Sequence, residues 1–178
     1  GSYLSRFIVK GLVARFIQVE LLVGLIGGFS AALLFVIFAW VAGPFKLVLY
    51  GLVLLTGTLV GLEIPLVMRI LKQHYGLKDL VSQVLTFDYL GALAVSLAFP
   101  LLLAPHLGLI RTSFLFGLMN VLVAAWAIWL FRNQLAGLKS LAVQCFLVSA
   151  LLLSGLLGAD RLTSMAEEHL YADEIIYT

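Results

Sequence analysis

Charge is scarce in this chain. Of 178 residues only 11% are charged and 63% are hydrophobic, against about 25% charged in soluble globular domains, and the mean hydropathy is +1.14. So little polar surface cannot cover a water-soluble domain, and the bilayer is the solvent that fits. The net charge of +2 is too small, and the basic residues too dispersed, for nucleic acid to be a partner. The lone Cys145 has no intrachain partner for a disulfide and, in an apolar stretch, reads as packing. His74, His106 and His169 have no second ligand at helical spacing, so no metal site is expected. Ser113, Ser149 and Ser154 lack a nucleophile motif, and no glycine follows a strand in a phosphate-binding pattern. No catalytic residue is therefore assigned. Internal repeats, low-complexity tracts and a signal peptide pattern are absent as well.

What is abundant is the long apolar run. Crossing a hydrocarbon core of roughly 30 Å takes about 20 helical residues, and five stretches qualify: 19–42, 47–68, 80–103, 113–131 and 138–157. The expected fold is all-α and integral to the membrane, a bundle of about five transmembrane helices over residues 1–158. Gly/Pro-marked connections at Ala42-Gly43-Pro44 and Pro105-His106-Leu107-Gly108 suit short turns between antiparallel neighbours. Residues 1–18 are too charged to span and fit an interfacial helix or the end of a preceding span.

The basic residues divide unequally between alternate loops. Arg6, Lys10, Arg15, Arg69, Lys72, Lys78, Arg132 and Lys139 fall on one side, and only Lys46, Arg111 and Arg161 on the other. The positive-inside rule then places residues 1–18 in the cytoplasm and, by parity, the C-terminus outside. Trp40, Trp126 and Trp129 suit interfacial or lipid-facing positions.

Two carboxylates interrupt the apolar runs. Glu63 lies in Gly61-Leu62-Glu63-Ile64-Pro65-Leu66 and Asp88 in Phe87-Asp88-Tyr89-Leu90. An ionised group at membrane depth costs several kcal/mol unless paired or hydrated, so such residues usually face a protein interior and carry a function. With Arg69 and Asp79 taken as helix ends, Glu63 and Asp88 sit roughly 9 and 13 Å deep at about 1.5 Å per residue. They would face one cytoplasm-side cavity with Gln83 and Tyr89, sharing a proton or binding a cation. Pro65 withholds an N–H and frees the Gly61 carbonyl toward the same cavity. The bland alternatives are a protonated Glu63 or a Glu63–Arg69 pair, and an Asp88 that bonds a neighbouring helix. Asn120 and Gln144 read as interhelical hydrogen bonders. Gly24 and Gly28, Gly57 and Gly61, and Ala92 with Ser96 each stand four apart, which suits close helix packing within the chain or a homo-oligomer face.

After the fifth span the composition changes. Residues 159–170 are polar and helix-compatible, and Tyr171-Ala172-Asp173-Glu174-Ile175-Ile176-Tyr177-Thr178 reads as a first strand without partners. Residues 159–178 are thus expected to be a linker and the start of a truncated soluble domain.

Gly61-Leu62-Glu63-Ile64-Pro65-Leu66, Asp88-Tyr89-Leu90-Gly91-Ala92-Leu93, Phe99-Pro100-Leu101 and Leu107-Gly108-Leu109-Ile110-Arg111-Thr112, in this order, resemble the integral-membrane N-terminal region of bacterial multi-pass spermidine synthase-like proteins. These are polyamine aminopropyltransferases. The resemblance implies two helices preceding Gly1 and a C-terminal catalytic domain beyond Thr178. That domain would transfer an aminopropyl group from decarboxylated S-adenosylmethionine to putrescine, so the present residues alone would not catalyse it. A membrane module that anchors the enzyme and admits polyamine is the first functional reading. A fragment of a secondary transporter, with the carboxylates as proton or cation sites, is the second. The orientation argument puts the implied catalytic domain on the side where its donor is not made; an inverted parity and a different substrate both stay open.

Overall fold

The computed structural model describes residues 1–40, 43–72 and 76–170. Among these residues the chain is all-helical. A short α1 (Ser2–Ser5) precedes α2 (Leu12–Trp40), α3 (Phe45–Leu71), α4 (Leu77–Ala98), a π-helical turn (Phe99–Leu103), α5 (Ala104–Leu130) and α6 (Leu138–Leu170). The N-terminal segment is therefore not one interfacial helix: it breaks after α1 and restarts at Leu12, directly after Gly11, whose φ of +64° only glycine adopts readily. The first long helix consequently begins seven residues before the expected 19. Apart from Arg15, Gln18, Glu20 and Ser30 its interior is apolar or glycine, with no proline to interrupt it before Trp40.

Among the described residues four helical segments are long and apolar enough to cross a membrane: Leu12–Trp40, Phe45–Leu71, Lys78–Leu130 and Leu138–Met165. The third, at 53 residues, would be about 80 Å long if straight, more than twice a bilayer core of roughly 30 Å. It is not straight. Gly108, at φ +73° and ψ 171°, sits in a region essentially closed to side chains, and the chain turns back there. The expected third and fourth spans are thus joined by a single residue, and Pro105, His106 and Leu107, expected in a loop, continue the helix. Pro100 lacks an N–H, and the helix accommodates it by widening into the π turn.

The centre of the bundle is α2, which packs against α3, α5 and α6. Its antiparallel contact with α5 is the closest. A Cβ on Gly24 would stand 2.8 Å from the Gly117 carbonyl oxygen, and one on Gly117 only 2.6 Å from that of Gly24 and 3.1 Å from the Gly28 Cα. The backbones touch because no side chain intervenes, as small-residue strips permit. Ser113 Oγ then donates across the gap to the Gly28 carbonyl at 2.9 Å. From α6, Leu152 fills the notch beside Gly117, and the fully buried Phe114 lies over Gly155, edge-on to Phe29 at 5.0 Å.

On the other side of α2, Val19 and Val23 pack on Leu62 and Leu66 of α3. A Cβ on Gly57 would meet no atom within 4 Å, whereas one on Gly61 would meet the Gly1 Cα at 3.0 Å, so of this second pair only Gly61 makes a close contact, with the start of α1 and not with a long helix. Ala92 and Ser96 are exposed on α4, which touches only α3 and the π turn among the described residues. Asn120 and Gln144, expected to bridge helices, bond within their own: Asn120 Nδ2 to the Phe116 carbonyl at 3.3 Å and Gln144 Nε2 to Ser140 Oγ at 3.2 Å. α6 runs without a break through residue 158 to Leu170, so the polar segment expected as a linker continues the helix as far as that residue. The strand expected over 171–178 lies outside the described residues.

Gly117→Leu should lower stability in detergent by about 1–3 kcal/mol or more, as overpacking does, and Gly108→Ala by about 1–3 kcal/mol through backbone strain. Gly57→Leu should leave it unchanged. Thermal unfolding of the three purified variants checks the order, and equal melting of Gly117→Leu and Gly57→Leu would refute the α2–α5 contact.

Candidate functional site: three carboxylates near one depth

Counted from the helix ends that the structure defines, Glu63 lies eight residues inside α3 and Asp88 eleven inside α4. A third acid joins them. Glu20 lies eight residues inside α2 and is only 5% exposed. At about 1.5 Å per residue, the three sit roughly 12, 12 and 17 Å from the same end of the bundle. Glu20 shares a helical stripe with Phe16, Val23 and Gly27 at spacings of four, three and four, which is one face of a helix. Because Val19 and Val23 pack on α3, Glu20 is turned toward Glu63, and the two lie within electrostatic range of each other.

Glu63 is held against this face by Leu62 and Leu66, both buried on α2. Its Oε1 is buried and has no hydrogen-bond partner among the described residues. That is an expensive arrangement. A buried polar group left unpaired costs about 1–3 kcal/mol, and more when charged. The expected partner does not supply relief: Arg69 turns away and donates from Nη1 to the Ser5 carbonyl at 2.8 Å. The Gly61 carbonyl, which Pro65 frees, is not offered to a cavity either. It accepts a hydrogen bond from Ser2 Oγ at 3.0 Å, so α1 completes the broken ladder of α3.

Asp88 lies within electrostatic range of Glu63, but the α4 side chains stand outward. Gln83, Asp88 and Tyr89 are all exposed, Tyr89 at 69%. Of the four residues expected to share a cavity, the structure brings Glu63 and Asp88 into mutual range and leaves Gln83 and Tyr89 on the open face of α4. None of the four lines the grooves of 610–670 Å³ in the bundle. The residue that sequence reasoning passed over is Glu20, placed next to the boundary of the expected first span. The stripe Phe16, Glu20, Val23, Gly27 was legible, but only from a helix that begins at Leu12.

Among the described residues no three acidic, histidine or cysteine side chains converge closely enough to hold a metal ion. Carboxylates spread over three helices, near one depth but apart, can instead meet positive charges separated along a linear ligand. At the opposite end of the bundle Arg111 and Asp160 form an ion pair between α5 and α6. At 42% and 71% exposure it contributes about 0–1 kcal/mol and reads as a tie between helix ends.

Replacing Glu63 by Met should raise thermal stability in detergent by about 1–3 kcal/mol, since it removes an unpaired buried oxygen at similar volume. Asp88→Met, on an exposed face, should not. A lower melting temperature for Glu63→Met would mean that the carboxylate is satisfied in the folded bundle.

No family model and no solved structure matches the chain. Curated proteins do match, over 99% of its length. It is 55% identical over 184 residues to polyamine aminopropyltransferase 2 of Ralstonia nicotianae, and 46% identical over 176 residues to the polyamine aminopropyltransferase of Leptospira interrogans. With that of Mycobacterium tuberculosis it shares 36% over 186 residues. The chain spans about a third of the length of these relatives, 35–36% in each. Its curated relatives are thus polyamine aminopropyltransferases, about a third of whose length it matches.

Proposed function

We propose that this chain is the membrane module of a spermidine synthase-like aminopropyltransferase, and that Glu20, Glu63 and Asp88 form a polycation site within it. The observation that carries the site is the buried Glu63 oxygen without a hydrogen-bond partner, beside the buried Glu20 and in range of Asp88. A destabilising group of this kind is kept where a function needs it. A linear polyamine suits carboxylates on three helices: its ammonium groups are separated by methylene chains, so each can meet a different acid while the chain lies on apolar helix surface. The relatives' names supply the same class of ligand. In the whole protein, on this reading, aminopropyl transfer from decarboxylated S-adenosylmethionine takes place in a domain outside these residues, and the helices anchor it and admit or release polyamine.

The membrane placement rests on helix length, apolarity and charge. The starts of α2, α4 and α6 and the ends of α3 and α5 share one end of the bundle, where eight of the eleven basic residues fall. That end faces the cytoplasm by the positive-inside rule. Trp126 and Trp129 near this end and Trp40 near the other are half or more exposed, as interfacial aromatics are. α6 ends on the outer side. A secondary transporter built on the same acids is the competing reading, and net flux separates the two.

With full-length protein in liposomes, spermidine should bind, and Glu20→Gln or Glu63→Gln should each weaken binding about tenfold, the loss of roughly 1.4 kcal/mol. Asp88→Asn, more exposed, should cost less. Affinity unchanged in the Glu20→Gln, Glu63→Gln double variant overturns the site, and saturable polyamine flux driven by a proton gradient favours the transporter. Reporter fusions after Lys72 and after Gln134 should read cytoplasmic and those after Pro44 and Arg161 external; cytoplasmic signal at all four would refute the spanning arrangement.

A further inference from the structure

The cytoplasmic end of the bundle carries a second feature that the polyamine reading does not use. α3 and α5 both pack on α2 but not on each other, so a wedge opens between them with α2 as its floor. At its mouth is a crevice of 610 Å³ lined by Lys10, Arg15, Gln18 and Arg69 and closed by Gln134 in the turn after α5. Directly adjoining it, with Ile70 and Phe131 common to both, runs an apolar groove of 200 Å³ over Phe16, Val67, Val123 and Trp126. We propose that this composite is a binding site for one anionic glycerophospholipid, its phosphate in the basic crevice and part of an acyl chain in the groove.

Three observations support that occupant. First, the crevice holds three cationic side chains and no anionic partner: among the described residues the one salt bridge is Arg111–Asp160, at the far end. Second, both guanidinium groups are already steadied on neutral acceptors. Arg15 Nη1 donates to Gln18 Oε1 at 3.0 Å and Arg69 Nη1 to the Ser5 carbonyl at 2.8 Å. Each guanidinium has five N–H donors, so several remain for phosphate oxygens, in the planar fork that suits bidentate contact. Third, charge lies above apolar surface in the order a phospholipid presents them, at the ends of α2 and α3 where headgroups would sit. Lys72, Lys78, Arg132 and Lys139 crowd the same end and favour an anionic leaflet. A free phosphate would use the crevice and leave the groove without a role.

The proposal rests on the membrane reading and is independent of the polyamine site. Its test uses the full-length protein in nanodiscs of defined composition, with lipid retention after detergent exchange measured by native mass spectrometry. Wild type should retain phosphatidylglycerol at least ~10-fold better than phosphatidylcholine, near the gain expected when two basic residues meet an anionic headgroup. Lys10→Gln with Arg15→Gln, both exposed positions whose change should not disturb folding, should abolish that preference. Lys46→Gln at the far end should not. Val123→Trp, which fills the groove, should reduce retention of phosphatidylglycerol and leave binding of inorganic phosphate unchanged. Equal retention of the two lipids, or retention untouched by the double variant, overturns the proposal. Displacement of phosphatidylglycerol by inorganic phosphate, with no effect of Val123→Trp, reassigns the crevice to free phosphate and overturns the lipid assignment. Spermidine binding in the same nanodiscs distinguishes failure here from failure of the polyamine reading, since each site has its own variants.

Discussion

Backbone contact between α2 and α5 is the constraint on which the rest of the bundle depends. Gly24, Gly28 and Gly117 remove the side chains that would hold two helices 8–10 Å apart, and the approach they permit lets Ser113 bond the Gly28 carbonyl across the interface. Leu152 and Phe114 then lock α6 onto the same pair. In the bilayer proposed as its solvent, the hydrophobic effect between apolar helices supplies little net drive, so shape and a few hydrogen bonds set the arrangement. With α5 and α6 committed to one side of α2, the stripe Phe16, Glu20, Val23, Gly27 is left to face α3 and the wedge between α3 and α5.

That arrangement explains why the acids meet. Glu20 and Glu63 come from helices joined in sequence by a short turn, and each sits eight residues from the same end. Antiparallel packing therefore makes them level. Pro65 breaks the ladder of α3 one turn away, yet the freed Gly61 carbonyl is taken by Ser2. The backbone defect is repaired while Glu63 Oε1 is left without a partner among the described residues, and the proposed polycation site rests on this contrast. Helix α4, by comparison, is loosely attached and exposes Asp88, Tyr89 and Gln83.

The two ends of the bundle differ in the same economical way. The basic end holds unpaired cations above an apolar groove, and the opposite end neutralises Arg111 with Asp160. The basic rim and the buried acid of α2 stand apart, because roughly 12 Å of helix separates Glu20 from the start of α2.

Sequence alone determined the all-helical class, the positions of the apolar runs and the asymmetry of basic residues, because composition and charge order act through local rules that need no partner; the resemblance to aminopropyltransferases came from the ordered motifs of residues 61–66, 88–93, 99–101 and 107–112. It also singled out Glu63 and Asp88, since a carboxylate in an apolar run is conspicuous wherever it points. Helix starts were less legible: Gly11 and the short α1 moved the first long helix to Leu12 and brought Glu20 into its interior. What only the tertiary structure decided is which faces meet. Gly24-xxx-Gly28 and Gly57-xxx-Gly61 are alike on paper, but one pair lies against α5 and the other leaves Gly57 open and seats α1 at Gly61. Asn120 and Gln144 turned inward on their own helices, and Arg69 bonded Ser5 and not Glu63. The physical reason is that a helix presents every side chain somewhere on its circumference, and only the packing of neighbours selects which of them is buried, paired or left without a partner.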